Sequence, residues 1–136
     1  MNIAESAQRI LTGNDLISKL FYDKYLTRYP EIGWFFLETD MAHQAAMLRM
    51  ALMMAEQYYR NRYKAMDDYL KVIGYRHKRR GVPTDLYADW RDCMLDTLKE
   101  FHGDDWSDAL ETEWAEAIDL AVSLMLKGYE LEDGHV

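Results

Sequence analysis

The sequence predicts an all-α fold. Three observations carry that prediction. Apolar residues recur at helical spacing along the whole chain. No segment alternates apolar and polar residues between hairpin turns. Two prolines are few for 136 residues, and both sit at breaks between helical stretches.

Seven helical segments follow, joined by short connections. Residues 3–11 form a short first helix, closed by Thr12 and Gly13. Asn14 or Asp15 caps a second helix, in which Leu16, Leu20, Phe21 and Tyr25 recur at helical spacing. It ends before Pro30, because a proline pushes the preceding residue out of the helical region. Pro30 then opens a short helical turn, Pro30–Phe36. Asp40 caps the next helix, residues 41–60, whose inner face reads Met41, Gln44, Ala45, Leu48, Leu52, Ala55 and Tyr59. A helix over residues 66–79 carries Tyr69, Leu70, Ile73 and His77. Gly81, Val82, Pro83 and Thr84 make a turn, with Thr84 as a capping residue. The helix over residues 85–101 buries Leu86, Trp90, Met94, Leu95 and Leu98, and Gly103 ends it. Asp105 or Ser107 starts the last helix, which runs to about Tyr129 with Trp114, Ile118, Ala121, Val122 and Met125 inward.

Bulk properties bound the function. The length is one domain's worth, so residues 1–136 are expected to form a single domain. With 49% of residues apolar and 13% aromatic, the chain has the composition of a folded protein. A net charge of −8 makes it a poor general binder of DNA or RNA, so no nucleic-acid partner is expected. Cys93 is the only cysteine, so it forms no intramolecular disulfide and no thiolate metal site by itself. Residues 1–11 mix Glu5, Gln8 and Arg9 into their apolar positions and lack the core of a secretory signal. The richest apolar run, residues 45–55, is interrupted by Arg49 and falls short of a membrane span. A cytoplasmic location with no membrane partner is expected.

One histidine stands out for chemistry. His77 lies one turn after Ile73 on the same helix face and so projects from an apolar side. Around it the order of residues is specific: Phe21-Tyr22, then Tyr29-Pro30-Glu31-Ile32, Phe35-Phe36, Gln44-Ala45-Ala46-Met47-Leu48, His77, Gly81-Val82 and Tyr87. Taken together, this string resembles the globin family. Within that family it looks most like the bacterial single-domain haemoglobins and the haem domain of flavohaemoglobins. The resemblance covers residues 16–129.

The resemblance implies a globin-like fold of about seven helices around one pocket for haem b, and it assigns roles residue by residue. His77 matches the proximal iron ligand. Phe36 matches the aromatic that lies flat against the porphyrin. Tyr22 and Gln44 match the polar residues of the distal side, and Leu48 the apolar residue over the iron. Tyr87 matches the tyrosine that approaches the proximal histidine. Met41, Ile73 and Val82 complete the expected haem contacts. A hydroxyl and an amide donor suit a gas ligand that draws electron density from iron in a dry pocket.

Two registers stay open at this level. If His43 faced the pocket in place of Gln44, Met47 would replace Leu48. The resemblance also implies a glutamate on the last helix behind the proximal histidine. The matching position holds Tyr129, with Glu130 one residue on, about 100° away around the helix. Arg49, beside the inner face, is expected to reach solvent or pair with an acid. Arg76, Lys78, Arg79 and Arg80 form a solvated basic turn, part of which suits haem propionates. Met47, Met50, Met53 and Met54 suit gap filling in a core, and Cys93 a buried thiol. Asp104, Asp105, Asp108, Glu111 and Glu113 crowd a helix start and suit its dipole.

The implied function is reversible binding of oxygen or another diatomic gas, NO or CO, by a monomer or homodimer. One alternative is a nitric oxide dioxygenase. It would need a separate reductase, because the flavin domain of the flavohaemoglobins has no counterpart before Val136. A second alternative, from a different class, is a haem-free globin-fold interaction module in which His77 is incidental.

Overall fold

Capping chemistry sets where the helices begin, and the computed structural model, described here over residues 1–133, shows each start. α1 (Ile3–Thr12) opens on a reciprocal box. The Asn2 side chain accepts from the Glu5 N–H at 2.9 Å, and the Glu5 carboxylate accepts from the Asn2 N–H at 3.1 Å. α2 (Leu16–Arg28) starts without a side-chain cap. Asn14 adopts a left-handed φ of 55°, and the Asp15 carboxylate turns to Arg49 at 2.6 Å instead of capping. This corrects the expected cap and settles Arg49, which pairs with an acid. Pro30–Phe36 forms a 3-10 turn after α2.

α3 (Met41–Asn61) is capped by Asp40, which accepts from the Ala42 N–H at 3.0 Å and the His43 N–H at 3.4 Å. α4 (Lys64–Arg79) begins two residues before the expected start. α5 (Leu86–His102) follows a turn closed by backbone bonds from Leu86 to Pro83 and from Tyr87 to Thr84. The Thr84 side chain makes no capping bond there, which corrects its expected role. A three-residue 3-10 turn, Gly103–Asp105, stands where the sequence marks only the break between two helices. It holds Asp105, whose carboxylate pairs with Arg9, and it leaves Ser107 to cap α6 (Asp108–Gly128) by accepting from the Leu110 N–H at 3.1 Å. Among the described residues there is no strand, and no helix is long and apolar enough to cross a membrane.

Two apolar clusters organise the interior. The larger gathers Phe21, Leu52, Met94, Leu98 and Trp114 from α2, α3, α5 and α6, with Ile10 from α1. Cys93 is fully buried in it. Burying side chains of this size stabilises by roughly 1.5–3 kcal/mol each. The smaller cluster joins Ala55, Tyr58, Leu70, Ala121 and Leu124. Tyr58 is buried in it, whereas Tyr59, expected inward, is half-buried and donates to Glu116 at 2.8 Å.

One polar knot crosses the core. The Trp114 indole N–H donates to Ser6 Oγ at 2.9 Å, and Ser6 Oγ is hydrogen-bonded to His102 Nε2 at 2.6 Å. Burial and nearby Arg9 push the His102 imidazole down to about 4, against a smaller opposing effect of Asp105, so it is neutral near pH 7.

α4 leans on α6 at an unusually close crossing. A Cβ at Gly74 would lie 1.8 Å from the Met125 carbonyl oxygen, and one at Gly128 2.0 Å from that of Lys71. α3 also packs on α6, yet α3 and α4 hardly touch each other. The gap between them is the site.

Candidate functional site

A mostly apolar cavity of about 590 Å³ lies between α3 and α4, floored by α6 and closed by α2, the first 3-10 turn and the start of α5. That size falls in the usual range for small-molecule and cofactor sites, roughly 300–1,000 Å³. Its wall brings together Tyr22, Phe36, Gln44, Leu48, Ile73, His77, Val82 and Tyr87, eight of the nine residues singled out from the sequence. Met41 is the exception. It is 39% exposed and lies outside the wall. It shares a helical face with Gln44 and Leu48, and Thr39, Asp40 and His43 on either side of it line the cavity, but its own side chain does not. Helical period gives the face a residue shares and not which side chains on it reach a cavity.

His77 reaches the cavity from the last turn of α4. Its Nδ1 lies 3.0 Å from the Tyr87 hydroxyl on α5. Burial and the Arg80 guanidinium both lower its basicity, so the imidazole is neutral at pH 7. Burial, and then a hydrogen bond to Tyr129, raise the Tyr87 phenol far above its ordinary range. Tyr129 donates to the Val82 carbonyl at 2.8 Å and sets its ring edge-on to Tyr87 at 5.9 Å. Glu130, the next residue, is exposed. At the open register on the last helix, the phenol therefore turns inward and the carboxylate outward.

A second polar group faces the same cavity. Gln44 Nε2 donates to the Tyr22 hydroxyl oxygen at 2.8 Å. Tyr22 is buried, with its ring edge-on to Phe36 at 5.5 Å. Burial pushes its phenol up to about 12 against the opposing bond from Gln44, so the hydroxyl keeps its proton. Because its oxygen already accepts from Gln44, that proton is free for another acceptor. Leu48 is buried, while His43 and Met47 also line the cavity from exposed positions nearer solvent. Both candidate registers thus reach the wall, with Gln44 and Leu48 the deeper pair.

Of the basic turn, only Arg76 and Arg80 border the cavity, and Arg80 also donates to the Phe35 carbonyl at 2.9 Å. Lys78 and Arg79 turn away to Leu131 and Asp133. The donor set fits haem: an apolar slot, one neutral imidazole with its Nδ1 engaged, and cationic side chains at the rim.

A family model described as Globin matches residues 19–125, over three quarters of the chain. The chain belongs to the globin family. Leghemoglobin-1 of Lupinus luteus is 32% identical to this globin over 92 residues, which span 68% of this chain and 58% of that protein. Sequence reasoning about this globin missed the floor of the cavity. Ile118, Ala121, Val122 and Met125 line it from α6. Their spacing marks them as inward, but no spacing distinguishes a side chain facing a cavity from one facing core.

Proposed function

We propose that this globin binds haem b through His77 and takes up a diatomic gas beside Tyr22 and Gln44. The observation that carries the reading is the neutral His77 imidazole, engaged at Nδ1 and facing an apolar cavity of about 590 Å³. A relative named as a haemoglobin supports it. Haem supplies an iron centre that binds O2, NO or CO reversibly.

The chain's own residues do the rest. His77 Nε2 offers the lone pair that Nδ1, facing Tyr87, does not. Phe36, Leu48, Ile73 and Val82 wall out water. Arg76 and Arg80 suit the propionates at the rim. Tyr22 holds a proton ready for a gas ligand, and Gln44 fixes the orientation of that hydroxyl.

The test is the visible spectrum of the full chain with haem supplied, in ferric, reduced, and reduced plus CO states. A strong Soret band that shifts on reduction and again with CO, and that is lost or altered in His77→Ala, is expected. A folded chain that stays colourless overturns the reading and leaves the haem-free interaction module. Mixing the oxygenated protein with NO, a reductase and NADH then separates gas binding from turnover. Gas binding gives one turnover, and sustained nitrate production gives a dioxygenase with an external reductase as partner.

A further inference from the structure

We infer that α1 is an acid-opened clasp: the buried knot of Ser6, His102 and Trp114 holds it while the His102 imidazole is neutral, and protonation of that ring releases it.

The knot accommodates one charge state. Ser6 and Trp114 are fully buried, and His102 is 5% exposed. Ser6 Oγ is hydrogen-bonded to His102 Nε2 at 2.6 Å and accepts from the Trp114 indole N–H at 2.9 Å. His102 Nδ1 is buried and has no partner among the described residues. A neutral ring leaves that one atom unsatisfied. A protonated ring carries a hydrogen on both nitrogens. Its Nδ1–H then has no acceptor, and a charged donor without an acceptor is far costlier to bury than a neutral one. Its Nε2–H must donate to Ser6 Oγ, which already accepts from Trp114.

The surroundings do not compensate. Burial, and then the Arg9 guanidinium of α1, hold the imidazole at about 4 against its ordinary 6.5, while Asp105 in the second 3-10 turn opposes them more weakly. Arg9 and Asp105 pair with each other at 2.6 Å on the surface. α6 faces the ring with Trp114, α5 sets Phe101 edge-on to it, and Trp106 stacks on it at 6.0 Å. None of these three carries charge. Once α1 lifts away, the ring meets water and returns towards its ordinary value. Between pH 6.5 and about 4 the open form therefore binds a proton that the closed form refuses, so the closed form loses stability as the pH falls.

α1 is the element that this proton can move. Its ten residues are too few for a stable helix on their own. Ile3, Ala7 and Ile10 hold it to the large cluster, and Ser6 holds it to the knot. Opening bares those three apolar side chains and the Trp114 indole beneath. No α1 residue lines the cavity, so the clasp does not depend on what fills it.

The experiment follows amide hydrogen exchange of the full chain near pH 7.5 and near pH 5.5, corrected for the intrinsic pH dependence of exchange, in wild type and in His102→Gln. Glutamine keeps a polar group near Ser6 and does not titrate in this range. The opening equilibrium of Ile3–Thr12 is expected to rise roughly tenfold in wild type, the factor for one proton at an ordinary 6.5 read about one unit below it. In His102→Gln it should stay nearly flat. α1 should also open more readily than α6 around Trp114 at both pH values. An unchanged opening in wild type overturns the clasp, and so does the same rise in His102→Gln. Protection of α1 equal to that of α6 near pH 5.5 also overturns it, because the knot would then open only with the whole molecule. If the variant does not fold, the wild-type ring is titrated by NMR through its Cε1–H signal alongside the exchange. A ring still neutral near pH 5.5 while α1 opening rises supports the clasp, and a ring that gains its proton near 6.5 with α1 still protected overturns it.

Discussion

Tyr22 and Gln44 show how two ordinary side chains become a device once burial removes their alternatives. In water, Gln44 would bond solvent and the Tyr22 hydroxyl would rotate freely. Here the amide donates to the phenol oxygen, and the phenol proton has no acceptor among the described residues. Tyr22→Phe removes that proton and keeps the ring. Loss of a hydrogen bond to a partly charged acceptor costs about 1.5–3 kcal/mol, so gas dissociation from the haem-loaded chain should quicken roughly ten- to a hundredfold in a flash-photolysis or stopped-flow measurement. The pH dependence has a definite sign. The folded-state value of Tyr22, about 12, lies above its ordinary value of 10.0, so the donor persists as pH rises past 10 and is lost only on approaching about 12. The wild-type dissociation rate should therefore stay flat from pH 7 to 10, as far as this group is concerned. A rate that already climbs at pH 9 would remove Tyr22 as the donor.

The crossing of α4 on α6 sets where His77 stands, and two glycines allow it. Gly74 and Gly128 each meet opposing backbone at distances no Cβ tolerates, so the two axes approach closely only because both side chains are hydrogen. Gly74→Ala or Gly128→Ala must push α4 outward and carry His77 with it. Overpacking of this kind costs about 1–3 kcal/mol or more, and thermal melting should show a drop of several degrees with faster haem loss. Alanine favours a helix interior by about 1 kcal/mol, so a variant that melts higher would disprove the close crossing. Much at this scale was legible in the sequence. Pro30 ended α2, Asp40 capped α3, and the spacing of Leu70, Ile73 and His77 marked the inner face of α4. Other features were settled by contacts between distant segments. Asp15 gave up its cap for Arg49, a partner thirty-four residues on. Tyr129 and Glu130 are neighbours in sequence, and only the rotation of α6 against α5 decides which of them meets Tyr87. The same limit hid the close approach of Gly74 and Gly128, which lie on different helices.

Over the whole molecule, the two apolar clusters divide stability unequally. α1, α2, α3, α5 and α6 share the large cluster, knotted by Trp114, Ser6 and His102. α4 takes part only in the small one, through Leu70, with Met66, Ile73 and the Gly74 crossing beside it. Across the cavity from α3 it has almost no protein neighbour. A group filling that cavity supplies the apolar contacts that α4 otherwise lacks on its inner face. Removing it should leave α4 as the least stable element, since local opening follows the density of buried contacts. Hydrogen exchange by mass spectrometry on the haem-loaded and haem-stripped chains tests this directly. Peptides covering Lys64–Arg79 should lose protection by at least tenfold on stripping, while those from α5 and α6 around Met94, Leu98 and Trp114 keep most of theirs. His77→Ala should reproduce the stripped pattern even with haem supplied, because it removes the proposed ligand on α4. Equal loss over all six helices would mean that the cavity is integral to the main core. Protection that does not change at all would mean that α4 is held by α6 alone, and that its Gly74 and Gly128 crossing carries more of the molecule's stability than its contacts suggest.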